Sequence, residues 1–143
     1  MNVSQHKQLR KITLITSISL LLLSLTQQAY CTPGRCTDSI AIYISGLFGF
    51  YLSSAGIVWL ANPLLLISWI TVKRYFKLSL ITSLLATIIS IAFLFFTKII
   101  DNSGGYYNRI ISYKLGYWLW VCSALVMFVG TAIYSYILKR SDE

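Results

Sequence analysis

The sequence predicts an all-α fold: a polytopic integral membrane protein in which one membrane domain, residues 1–143, forms a bundle of four transmembrane helices. Three observations carry this expectation. Long apolar stretches free of any charged side chain account for most of the chain. Hydrophobic residues make up 57% of it and charged residues only 11%, with a mean hydropathy of +0.71, whereas soluble domains carry roughly 25% charged residues. The basic residues that give a net charge of +8 sit at the ends of the apolar runs. They do not form a stripe interleaved with aromatics, so they read as membrane anchors and argue against nucleic acid as the partner.

A helix rises about 1.5 Å per residue, so about 20 apolar residues are needed to cross some 30 Å of hydrocarbon. The first expected span is 12–30, whose apolar part follows Lys7, Arg10 and Lys11. Its length also suits the central region of a signal peptide, which would leave three spans. Cleavage chemistry argues for retention: Gln27 takes the −3 position of a cut after Ala29, where a small residue is preferred, and Tyr30 before Cys31 spoils a lipoprotein-type site. The next apolar run, 40–72, is too long for one upright span and too short for two with a turn. Counting back about 20 residues from Lys73 places the crossing at 53–72. Residues 39–52 are then a short helix at the outer interface or an extension of one tilted helix, with Gly46 and Gly49 as bend points. The last two spans, 78–97 and 115–138, are each bracketed by Lys or Arg.

Orientation follows from the excess of Lys and Arg in cytoplasmic loops. With the N-terminus inside, Lys7, Arg10, Lys11, Lys73, Arg74, Lys77, Lys139 and Arg140 are cytoplasmic, and Arg35, Lys98, Arg109 and Lys114 are outside. Both termini are therefore expected in the cytoplasm. Tyr106, Tyr107, Tyr113, Tyr117 and Trp118 gather at the outer end of the last span, as an aromatic belt would. The short inner turn 73–77 makes the flanking helices antiparallel neighbours.

Few residues carry chemistry. Cys31 and Cys36 flank Pro33 and Gly34, which suit the two central positions of a type II turn, and in an oxidising outer space this spacing reads as a structural disulfide. A redox-active pair is the alternative, although thiol oxidoreductases typically place two residues, not four, between their cysteines. Asn62 and Pro63 fall inside the second span, where proline should kink the helix and Asn62 should hydrogen-bond protein in place of lipid. Ser79, Ser83, Thr87 and Ser90 make a small, hydroxyl-bearing face on the third span, read as a helix-packing interface. The outer loop 98–114 is polar, and Gly104 and Gly105 favour flexibility. Cys122 reads as an apolar packing residue and His6 as a solvated one. No catalytic residue, metal site or cofactor is expected. The spans carry no Asp, Glu, Lys, Arg or His, which argues against a proton-coupled carrier.

Two boxes, Trp59-Leu60-Ala61-Asn62-Pro63 followed by three leucines, and Gly116-Tyr117-Trp118-Leu119-Trp120, resemble WLANPLL-like and GYxLW-like segments of short uncharacterised bacterial inner-membrane proteins. The resemblance covers about a third of the chain and implies the bacterial cytoplasmic membrane. The leading functional expectation is a non-enzymatic accessory, envelope or immunity-type protein acting through helix packing and its outer loops. Its partners are the lipid bilayer and either another membrane protein or a second copy. The alternatives are a thiol redox protein using Cys31 and Cys36, and a subunit of a channel or transporter.

Overall fold

The computed structural model describes residues 3–49, 55–100 and 105–141. Its order is α1 (Val3–Leu25), β1 (Gln28–Thr32), β2 (Arg35–Asp38), α2 (Ser39–Gly49), a 3-10 segment (Ala55–Leu60) running into α3 (Ala61–Thr71), α4 (Phe76–Ala92) with a 3-10 extension (Phe93–Phe95), β3 (Lys98–Ile100), β4 (Tyr107–Arg109), β5 (Ser112–Tyr113) and α5 (Leu115–Ser141). Among the described residues, three stretches are long and apolar enough to cross a membrane: Lys7–Leu25, Phe76–Phe95 and Leu115–Leu138. Ala55–Thr71 is apolar but shorter.

The helices alternate in direction. Ser17 meets Ser123 and Ser24 meets Gly116, so α1 and α5 are antiparallel. Ser83 meets Thr131 and Tyr117 meets Ser90, so α4 runs against α5. Ser68 meets Ser79 across the α3–α4 turn, in which the Arg74 and Tyr75 N–H groups bond to the Thr71 carbonyl. One end of the bundle therefore gathers Lys7, Arg10 and Lys11 on α1 with Lys73, Arg74 and Lys77 around the α3–α4 turn. The other gathers the ends of α1 and α4, the starts of α3 and α5, and the strands β1 to β5.

The chain is mostly helical, as expected, but those strands qualify the purely helical reading. β1 lies between β2 and β5 in an antiparallel sheet, and β3 pairs with β4. The helix expected over 12–30 stops at Leu25. There the Thr26 hydroxyl donates to the Leu23 carbonyl at 2.7 Å, and the chain becomes β1 at Gln28. The segment 98–114, expected as a flexible outer loop, contains β3, β4 and β5 among its described residues. Asp101, Asn102 and Gly104 lie outside the described residues. Sheet formation meets a backbone requirement: the Ile111 N–H bonds the Cys31 carbonyl at 2.8 Å and the Lys114 N–H the Ala29 carbonyl at 2.7 Å.

Residues 39–49 do not extend the second span. The Trp59 indole N–H donates to the Tyr43 carbonyl at 3.0 Å, and the Trp59 ring lies so close to Gly46 that a Cβ there would overlap it. In one continuous helix Gly46 and Trp59 would stand about 20 Å apart. α2 thus packs back on the 3-10 segment, and Gly46 serves close approach within an unbroken helix. Residues 50–54, including the first two of the expected 53–72 span, lie outside the described residues.

The interior is rich in small polar residues and the exterior is apolar. Ser17, Ser68, Ser79, Ser83, Ser90 and Ser123 are fully buried, whereas Ile70 is 77% exposed and Phe95 84%. A water-soluble bundle would bury its leucines and isoleucines. Small residues let helix backbones approach, and their hydroxyls find partners between helices or on the preceding turn, the arrangement favoured for association in an apolar solvent. Apolar packing concentrates at the strand end, where the Phe93 ring lies 5.9 Å from Tyr30 and 5.7 Å from both Tyr113 and Tyr117.

Candidate functional site

The bundle is held by clasps between distant residues. Ser17 and Ser123 each donate to the other's backbone carbonyl, at 2.9 and 2.7 Å, and the Trp69 indole adds a bond of 2.9 Å to the Ser17 hydroxyl. One cluster thereby ties α1, α5 and α3. Ser68 and Ser79 repeat the reciprocal pattern at 3.0 and 2.9 Å between α3 and α4. Ser24 donates to the Gly116 carbonyl at 2.7 Å. A Cβ on Gly116 would overlap the Ser39 hydroxyl and crowd the Gln28 carbonyl, so the start of α5 must be bare to sit against the cap that strands β1 to β5 and α2 form at that end of the bundle.

All four hydroxyl residues singled out on the third span are buried on α4. Ser79 pairs with Ser68 on α3, and the Ser83 hydroxyl lies 3.4 Å from that of Thr131 on α5. Thr87 donates to the Ser83 carbonyl at 2.8 Å and Ser90 to the Thr87 carbonyl at 2.9 Å. The Ser90 carbonyl in turn accepts the Tyr117 hydroxyl at 3.0 Å. The face therefore meets both α3 and α5. Its counterparts Ser17, Ser24, Ser68 and Ser123 are not singled out in the sequence, although Thr13, Ser17 and Ser24 recur at the four- and seven-residue spacing of one helix face.

Asn62 is 5% exposed, and its Oδ1 accepts the Trp120 indole N–H at 2.8 Å. Pro63 is in the first turn of α3, whose N-cap is Leu60. The first N–H groups of a helix have no intrahelical partner, so proline there removes no α-helical bond. The backbone passes from 3-10 to α at Leu60–Ala61, ahead of the proline, and this transition stands where a mid-helix kink is expected. Because Trp120 is five residues after Leu115, Asn62 sits about 8 Å below the start of α5, nearer the strand end than a count back from Lys73 implies.

Cys31 and Cys36 are directly opposed on β1 and β2 and form a disulfide. Pro33 and Gly34 make the turn between them, with Gly34 at φ 82°, the sign that the third position of a type II turn demands. Cys31 is buried and Cys36 exposed. Cys122 is free and on the outer surface of α5, so it is not a packing residue. Tyr113 donates to the Phe93 and Phe96 carbonyls at 3.3 and 3.4 Å, and burial pushes its phenol above the ordinary value, which keeps the donor protonated.

A cavity of about 670 Å³ opens between the β1–β2 hairpin, α2, the 3-10 segment and the start of α5, with Asn62 on its wall. Arg35, Thr37 and Ser39 add polar groups, while Leu21, Val58, Trp59 and Phe93 supply apolar ones. Local sequence gives no sign of it, because its walls come from segments as distant as Leu21 and Trp120. Among the described residues no group of three or more His, Cys, Asp or Glu side chains is placed to hold a metal ion. No family model matches the chain, and no curated protein or solved structure does so either.

Proposed function

We propose that the chain is a small non-enzymatic protein of the bacterial cytoplasmic membrane that acts by contact at its disulfide-stapled cap, as an accessory, envelope or immunity-type protein. In this reading α1, the 3-10 segment with α3, α4 and α5 all cross the bilayer, both termini are cytoplasmic and the cap faces outward. One observation supports it above the rest: interior polar groups are engaged in holding helices together. The clasps of Ser17 with Ser123 and Ser68 with Ser79, and the Asn62–Trp120 bond, join helix to helix and leave the strand end as the elaborated surface. The basic residues support the orientation, since Lys7, Arg10, Lys11, Lys73, Arg74 and Lys77 lie at the end opposite the cap.

Labelling tests the orientation. In intact cells carrying Cys122→Ala, Arg109→Cys should react with a membrane-impermeant maleimide and Lys73→Cys should not, while the native disulfide stays unreactive. Labelling of Lys73→Cys alone would reverse the topology and remove the cap from the outer surface. A thiol redox role is the second reading, favoured by the exposure of Cys36. It requires rapid reduction and reoxidation of the pair by a quinone or thiol pool.

A further inference from the structure

We propose that the cavity beneath the β1–β2 hairpin binds a single-chain anionic amphiphile, with its oxygen-bearing head at Arg35 and Thr37 and its apolar chain among Leu21, Val58 and Phe93. The inference deepens the reading of the cap as the working end and rests on it, but it does not depend on which side of the membrane the cap faces.

Size sets the class first. The volume of about 670 Å³ lies within the 300 to 1,000 Å³ typical of small-molecule pockets. Chemistry then divides the wall, with apolar side chains from the bundle and polar ones from the hairpin. Strand alternation explains the second set: Arg35 and Thr37 share one face of β2, and Cys36 and Asp38 take the other. Arg35 is accordingly the one charged side chain among the described residues that line the cavity, and Asp38 does not line it. A lone cation at the mouth of an apolar space favours an anionic head over a neutral or cationic one.

Two hydroxyls add an independent observation. Thr37 Oγ1 and Ser39 Oγ are buried without a hydrogen-bond partner, and both residues line the cavity at 7% and 8% exposure. Most buried hydroxyls are paired, and neither oxygen has accessible surface, Ser39 Oγ being packed against Gly116, so a rotation of the Thr37 side chain is what would bring an unpaired hydroxyl to an occupant of the cavity. The oxygens of a carboxylate or phosphate head accept from both a hydroxyl and a guanidinium, which meets the two requirements together.

Tryptophan reports on occupancy. Trp59 and Trp120 line the cavity, so a bromine-bearing chain bound there should quench their fluorescence. The protein would be purified in mild detergent with Trp118→Phe, which removes an exposed indole, and titrated with 9,10-dibromostearate. Saturable quenching at one molecule per chain is expected, weakened about tenfold or more by Arg35→Gln and by use of the uncharged methyl ester. Val58→Phe, which fills the apolar end, should abolish it. Because Arg35 is exposed, its substitution leaves the fold intact and keeps the test valid even where Val58→Phe misfolds. In nanodiscs containing a brominated anionic phospholipid, saturable Arg35-dependent quenching would identify the bilayer as the source of the chain. Quenching that rises linearly, or is equal for the acid, its ester and Arg35→Gln, would overturn the site. Neither outcome alters the maleimide labelling pattern, so failure here and failure of the outward-facing cap are read separately.

Discussion

The indole N–H of Trp120 donates to Oδ1 of Asn62 at 2.8 Å, joining the start of α5 to the first turn of α3. Asn62 is nearly fully buried, and the bond spans 58 residues of sequence. Interhelical hydrogen bonds in membranes contribute about 0.6 to 2 kcal/mol. Asn62→Ala and Trp120→Phe should each destabilise the bundle by that order, and the double variant should lose less than the sum. Unfolding in mixed micelles measures the coupling. Full additivity would mean that the bond contributes nothing beyond its two side chains.

The serine clasps should respond to size more strongly than to chemistry. Ser123→Ala deletes the bond to the Ser17 carbonyl yet preserves close approach, and about 1 kcal/mol should be lost. Ser123→Leu must push α1 away from α5 and should abolish folding or assembly. Equal losses for the two substitutions, read from yield of monodisperse protein and unfolding midpoint, would contradict a packing role.

Gly46 faces the Trp59 ring too closely for any side chain. Gly46→Val should displace that ring, break the bond from Trp59 to the Tyr43 carbonyl and cost about 1 to 3 kcal/mol by overpacking. A shift of the tryptophan emission maximum accompanying the loss of stability would report the displaced ring. An unchanged spectrum and unchanged stability would show that α2 does not pack on the 3-10 segment.

The Cys31–Cys36 bridge closes a loop of sequence separation 5, so constraint of the unfolded chain contributes only about 2 kcal/mol. Cys31→Ser with Cys36→Ser should therefore loosen the hairpin without unfolding the helices. Amide exchange should quicken at Ile111 and Lys114, whose N–H groups bond β1, and stay slow in α4 and α5. Exchange that quickens equally throughout would make the cap and bundle one cooperative unit.

Much of the bundle is legible in the sequence because a charge-free apolar run of sufficient length has few alternatives. The cap is not. Its strands are two to five residues long, and β1 pairs with Ser112 and Tyr113 from late in the chain, so no local periodicity announces them. The hydroxyl face of Ser79, Ser83, Thr87 and Ser90 stands out because it recurs within one helix. Ser123 is paired by a residue 106 positions away and carries no such signal. Pro63 is legible only in part for a related reason: hydropathy places it inside a span but does not show that a 3-10 segment passes into the first turn of α3 there. The cavity is the least legible feature, since Arg35 and Thr37 acquire a common face only once β2 exists.

Spin labelling tests the membrane-embedded bundle most directly. Nitroxides at Ile88 on α4 and Leu125 on α5, both outward-facing side chains, would be compared in liposomes with one at Tyr107 on β4. At Ile88 and Leu125, collisions with oxygen should be frequent and collisions with a water-soluble nickel chelate rare, while Tyr107 should show the reverse. Ready access of the nickel chelate to Ile88 and Leu125 would mean that water, not lipid, covers the apolar exterior, and would contradict the proposed bundle.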